Sequence, residues 1–267
     1  MATSAVTHPS APDPATVAES SVGKALAILD CFDAHDHTVG VTEMARRVGL
    51  PKSTVHRLAV ALVDAGYLER SQDGRYRLGI HLFELGHRVT AVDAIRRHAA
   101  PVLHGLSRVT GETSHLAILD GNDVVYLDKV DGSYSLDVPS RVGHRNPAVA
   151  TAVGKAILAW KSRHDLLALA GRGLPVYTSR SLQSVDALLG EAREIRRSNL
   201  ALDDGQRAVN LVCVAAPVRD RTSNVVAGIS LAGVRERLTV ERRVELASHI
   251  QAGAARISAD LGFATRG

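Results

Sequence analysis

The chain has few cysteines, no long apolar run and almost no excess of charge. Its 267 residues hold two cysteines. Cys31 and Cys213 lie far apart and have no metal-ligand spacing, which excludes a disulfide framework or a structural zinc site. Both sit in apolar settings that suit buried free thiols in a reducing compartment. His35 and His37 have no third ligand nearby, so neither a metal nor a cofactor is expected. No stretch reaches the ~20 apolar residues of a membrane span. The first twenty residues lack the basic start and apolar core of a signal peptide, and their Ala, Ser, Thr and Pro content reads as a disordered arm over 1–20. A cytoplasmic protein without a membrane partner is the expectation. Lys plus Arg is 32 against 28 Asp plus Glu, a net charge of +4. Bulk charge is therefore weak evidence for a polyanionic partner. Internal repeats are absent.

What is present is ordinary for a globular protein, with 45% apolar and 22% charged residues and length for two domains. The informative stretch is Gly40 to Arg70. Thr42 is placed as an N-cap, and Met44, Ala45 and Val48 give a first helix its apolar face. Gly49 suits the left-handed residue that closes it, and Pro51 the first turn of the next helix. There Leu58, Leu62 and Val63 point inward, while Lys52, Ser53, Thr54, His56 and Arg57 point out. Short hydroxyls with Lys and Arg at a helix N-terminus suit a reader of the DNA major groove. Arg46, Arg47, Lys52 and Arg57 form a basic run with no acid inside it. Asp73-Gly74 between Leu68 and Tyr76 signals a hairpin, and a helix-turn-helix followed by a basic hairpin is a winged helix. Arg70, Arg75 and Arg77 lie on the wing, and Lys24 near the start of the first helix could meet a backbone phosphate.

Elsewhere the patterns are coarser. Ser21 is placed as the cap of a helix whose core face is Val22, Ala25, Leu26, Leu29 and Phe32. Residues Ile80 to about Val92 read as a linker helix, and Pro101 as a kink or the first turn of a new helix. Thr113 to Val130 reads as a hairpin around Asp120-Gly121-Asn122-Asp123. A short strand and a Gly/Pro loop follow from Ser135. TAVGKAILAWKSRHDLLALAG reads as one helix, and Ser184 to Ser198 as another. Strands are expected at Leu200–Asp203, Leu211–Val218 and Val225–Leu231, then a helix capped by Thr239. The fold class is α/β (α+β), with a winged helix over 21–80, a linker over 81–95 and a sensor domain over 96–267, built on a mixed or antiparallel sheet.

SVGKALAILDCF, LPKSTVHRLAVAL, GYLERSQDGRYRLG, ATAVGKAILAW, VCVAAPVRD and NVVAGISLAG, in this order, resemble the IclR family of bacterial transcriptional regulators. The resemblance runs from about Ser21 to Leu261. It implies a winged helix joined to a GAF-like effector domain, self-association as a dimer or dimer of dimers, and a small organic acid or aromatic compound as effector. On the winged-helix reading, DNA contacts are expected at Lys24, Thr42, Lys52, Ser53, Thr54, His56, Arg57, Arg75 and Tyr76. The resemblance places the effector at Val138, Ala152, Val153, Asp203, Leu211, Cys213 and Ser230; independently, the free amides of Ala152, Val153 and Gly154 at the start of a helix are expected to face a carboxylate. Gly205, Gln206, Asn210 and Ala232 depart from the family pattern, so a less polar pocket and a ligand larger than glyoxylate are expected.

The function so implied is a DNA-binding regulator, a repressor of a catabolic operon acting on a near-palindromic operator in double-stranded DNA. Two other readings compete with it. One is an enzyme using Cys213, which the apolar strand around the thiol and the lack of a histidine on a neighbouring motif disfavour. The other is a DNA-binding protein whose second domain only oligomerises.

Overall fold

The computed structural model describes residues 20–32, 38–134 and 140–264. Val138, His35, His37 and the arm over 1–19 lie outside the described residues. The chain divides into two compact units, Met1–Thr90 and Ala91–Gly267.

The first unit holds α1 (Ser21–Asp30), α2 (Val41–Val48), α3 (Lys52–Asp64), β1 (Leu68–Arg70), β2 (Tyr76–Leu78) and α4 (Ile80–Gly86). Ser20, not Ser21, caps α1, its hydroxyl accepting from the Gly23 amide. The buried apolar side chain of α1 is Ile28, whereas Val22 (70% exposed) and Leu26 face solvent. Helical spacing places several residues on a face, but the neighbouring helices decide how wide a stripe is covered. Ile28 packs with Met44, Ala45, Val55, Leu58, Ala59, Leu68 and Tyr76. A bridge between Val39 and Tyr76 adds a third strand segment to the wing.

The expected linker helix is instead the short α4 followed by α5 (Thr90–Thr110), which opens the second unit. Pro101 lies inside α5 and does not divide it. The second unit continues with β3 (Thr113–Asp120), β4 (Asp123–Val130), β5 (Arg145–Pro147), a 3-10 turn (Ala148–Ala150), α6 (Ala152–Leu158), α7 (Arg163–Ala170), α8 (Val185–Ser198), β6 (Ala201–Asp204), β7 (Leu211–Arg219), β8 (Val225–Val234) and α9 (Val240–Asp260). The single helix expected from Thr151 is two, because Ser162 and Asp165 form a capping box that starts α7 afresh.

The six strands run in the order β5-β4-β3-β8-β7-β6, antiparallel throughout. Each strand sends alternate side chains to opposite faces. Val212, Val214, Ala216 and Val218 of β7 pack with α5 and α9 through Leu103, Leu246, Ile250 and Ile257. Ala215, Ala117 and Tyr126 face the other way, towards α6, α7 and α8. The sheet is thus buried on both sides, and the second unit has two cores.

Candidate nucleic-acid interface and ligand cavity

Gly49 closes α2 with φ +66, a conformation a residue with a Cβ adopts only at a cost. The Leu50 amide donates back to Ala45, and Pro51 stands as the N-cap of α3, one position earlier than expected. Thr42 is not a cap. Gly40 holds that position, and Thr42 lies exposed in the first turn of α2.

Helix α3 buries Val55, Leu58 and Ala59. Lys52, Ser53, His56 and Arg57 are exposed and Thr54 is half-buried. Among the described residues, none of these five side chains is in a hydrogen bond or ion pair. They are oriented outward and remain available to an external partner. The basic run is smaller than the sequence implies. Glu43, one turn upstream, accepts from Arg46 at 2.9 and 2.6 Å and from Arg47 at 2.8 Å. These bonds, Arg46 first, pull its carboxyl down to about 2. Arg47 also donates to the Cys31 carbonyl, 2.9 Å away.

On the wing, Arg75 is held by Thr38, its Nε 2.9 Å from the Thr38 hydroxyl and its Nη2 2.6 Å from the Thr38 carbonyl. Arg77 pairs with Glu69 at 2.5 Å. Tyr76 corrects the sequence reading. It is 1% exposed and sits in the core of the first unit, so its side chain does not reach DNA. Period-two alternation puts Tyr76 and Arg75 on opposite faces of the ribbon, and the aromatic residue takes the buried one. Lys24 is half-buried on α1.

In the second unit, a cavity of about 210 Å³ opens between the sheet and the start of α6. Ala152, Val153, Asp203, Leu211, Cys213 and Ser230 all line it. Strand periodicity explains the grouping, since Leu211 and Cys213 share one face of β7. Gly154 does not line it. Its amide donates to the Thr151 hydroxyl at 3.1 Å. A Cβ at Gly154 would stand 2.2 Å from the Ala148 carbonyl oxygen, so the glycine serves the close approach of α6 to the 3-10 turn. The expected three-amide cradle is therefore reduced to the amides of Ala152 and Val153, which have no acceptor within their own helix.

The sequence reading also missed His115, Tyr126, Ser140, Asn146, Thr151 and Arg207, which line the same cavity. The cavity wall is mostly apolar, as expected, and these residues set a few polar groups into it. Thr151 is the N-cap of α6 itself, and the others come from strand faces or loops that only the tertiary fold places beside α6. Of the departures noted in the sequence, Asn210 and Ala232 line the cavity, whereas Gln206 bonds to Lys155 and Glu191 instead. His115 Nε2 lies 2.7 Å from the Ser140 hydroxyl. Burial first, then Lys129, pulls the imidazole down to about 4, so the ring is neutral at pH 7. Burial pushes the Asp203 carboxyl up. Burial likewise pushes the Cys213 thiol up, with Asp203 adding to it. A histidine does therefore share a cavity with Cys213, contrary to the sequence reading, but the thiol is held in its unreactive protonated form. Among the described residues, no cluster of His, Cys, Asp and Glu could hold a metal, and no helix is long and apolar enough to cross a membrane.

Residues 21–72 match the IclR helix-turn-helix domain, and residues 87–259 match the C-terminal domain of bacterial transcriptional regulators of the IclR type. The chain is 36% identical over 245 residues to the HTH-type transcriptional regulator XynR of Escherichia coli, covering 91% of this chain and 97% of that one. It is 36% identical over 246 residues to the regulator KdgR of the same organism, covering 91% and 93%. Among solved structures, Thermotoga maritima IclR superposes with a TM-score of 0.75 at 31% identity, covering 91% and 99%. An IclR homolog from Microbacterium hydrocarbonoxydans complexed with 4-hydroxybenzoate gives 0.83 at 25% identity, also covering 91% and 99%.

Proposed function

The chain belongs to the IclR family of bacterial transcriptional regulators, and we propose from that premise that it represses a catabolic operon under the control of a small organic acid. The observation that carries the DNA-binding half is the outer row of α3. Lys52, Ser53, Thr54, His56 and Arg57 have no partner among the described residues, while the opposite face of the same helix is packed. Arg57 is assigned to a base edge, and Lys52 and Arg75 to phosphates. Arg75 would have to exchange its Thr38 bonds for phosphate, or keep them and act through its remaining donor.

The effector half rests on the cavity and on the 4-hydroxybenzoate seated in one related structure. An aromatic or carboxylic acid in the 210 Å³ space would touch α6 and strands β3, β7 and β8 at once. Self-association is supported by Val22, Ile80 and Phe83, apolar side chains each more than 60% exposed in a single chain. A symmetric dimer would address two half-sites about one DNA turn (~34–36 Å) or a multiple apart.

The test is gel-shift binding of the full chain to the DNA upstream of its own gene and of adjacent genes, with and without aromatic and aliphatic carboxylic acids. A near-palindromic protected site that an acid releases is the expected result. Binding with no sequence preference would defeat the regulator reading. Binding that no acid alters would leave an oligomerising second domain instead.

A further inference from the structure

We propose that Arg207 is the carboxylate anchor of the cavity, and that the polar wall running from it to the His115–Ser140 pair selects a hydroxy acid. The inference rests on reading this cavity as the ligand site.

Arg207 presents a donor that nothing accepts. Its Nε is buried and has no hydrogen-bond partner, and its Nη2 makes a single bond of 3.3 Å, to Asn146 Oδ1. A buried guanidinium N–H without an acceptor is costly. A carboxylate relieves that cost best, because its two oxygens match the fork of Nε and Nη.

The guanidinium is also braced before any ligand arrives. It lies 4.1 Å over the Tyr177 ring. The loop that carries it is tied on both sides. Thr178 Oγ1 donates to the Gly205 carbonyl at 2.6 Å and Ser181 Oγ to the Gln206 carbonyl at 2.8 Å. The Gln206 amide donates to Asp203 Oδ1 at 2.7 Å, and the Gln206 side chain accepts from the buried Lys155. A donor fixed in this way loses little freedom on binding.

From Arg207 a chain of contacting polar side chains runs along one wall. Asn146 hydrogen-bonds Tyr126. The Tyr126 ring lies 5.3 Å from that of His115, and His115 ends on Ser140. None of these four carries a full charge at pH 7. They suit neutral hydroxyls and would leave a second carboxylate without a counter-charge. Ala152, Val153, Leu211 and Val234 supply apolar surface around them. A single carboxylate with a hydroxyl at the opposite end fits both features. With Gly154 committed to Thr151, Arg207 supplies the donor that the turn before α6 lacks.

The test is titration calorimetry on the full-length protein with five probes: 4-hydroxybenzoate, benzoate, 4-hydroxybenzamide, D-gluconate and hexanoate. The wild type is expected to bind at least one hydroxy acid, 4-hydroxybenzoate if the occupant is aromatic and gluconate if it is polyhydroxylated. The hydroxyl-free acids should bind about tenfold or more weakly, and the amide should not bind. Arg207→Ala should weaken the hydroxy acid on the order of 100-fold, and Arg207→Lys by less, with both variants melting within a few degrees of the wild type. Equal affinity in wild type and Arg207→Ala would overturn the anchor while leaving ligand control intact. Equal binding of acids with and without the hydroxyl would overturn the wall's role. Failure of every acid to bind the wild type would overturn both the inference and the cavity reading beneath it.

Discussion

Lys155 of α6 is 1% exposed, with its ammonium 2.6 Å from the Glu191 carboxylate of α8. The same ammonium donates to the Leu202 carbonyl at 2.6 Å. This one side chain ties α6 and α8 to β6 and, through the Gln206 side chain, to the loop that carries Arg207. The two partners differ in access to water, since Glu191 is 30% exposed. Removing the acid strands a buried cation, whereas removing the lysine leaves an acid that water can reach. Glu191→Gln is therefore expected to destabilise by about 3 kcal/mol and Lys155→Met by about 1–2 kcal/mol, measured by urea unfolding. The reverse ranking would mean that the ammonium is satisfied by its carbonyl acceptors alone.

Tyr76 offers a second test. Its hydroxyl is buried without a partner. Tyr76→Phe should leave stability unchanged or raise it by up to about 1 kcal/mol, because an unsatisfied group is removed. Operator affinity should be unaltered, since the ring lies in the core. A clear loss of DNA binding with unchanged stability would return Tyr76 to the interface.

His115 makes stability depend on pH. Its imidazole titrates at about 4 in the fold against an ordinary value of 6.5. The unfolded chain then holds more protons between those values, so stability is complete above about 6.5 and falls as pH drops towards 4. The expected loss is on the order of 3 kcal/mol. Melting curves across pH 4–7 should show it, and His115→Asn should flatten that part of the profile. An unchanged profile would locate the acid sensitivity elsewhere.

Arg57 and Lys52 should separate base reading from phosphate binding. Arg57→Ala is expected to cost roughly 1–3 kcal/mol on the operator and relax preference at one position. Lys52→Ala should weaken all sequences alike and reduce the salt slope by about one. Competition binding at several salt concentrations measures both. Equal effects on specific and random DNA from the two variants would remove Arg57 from base reading.

Much of the fold was legible in the order of residues. Helical spacing, Gly49, Thr239 and the Asp120–Asp123 turn act through neighbours within a few positions, and the hairpin and final helix stand where these signals put them. The caps misread at Ser21 and Thr42 turned on a choice between nearby hydroxyl or small residues, and the missed break on the Ser162–Asp165 capping box. Local pattern does not rank such neighbours, and hydrogen-bond geometry does.

The sequence alone determined the winged helix, the outward row on α3, and six of the cavity residues, because each is a property of one short segment or of a family motif. The tertiary structure decided the rest. Sheet order β5-β4-β3-β8-β7-β6 brings His115, Tyr126, Asn146 and Arg207 into one cavity across long chain separations. Packing of the first unit buried Tyr76, whereas the bonds that occupy Arg46, Arg47 and the Gly154 amide join residues only three or four positions apart. A side chain's charge and shape are written in the chain. Whether another group of the same protein has already claimed its donors is settled by geometry in three dimensions, and for Arg75 that group, Thr38, comes from a distant segment.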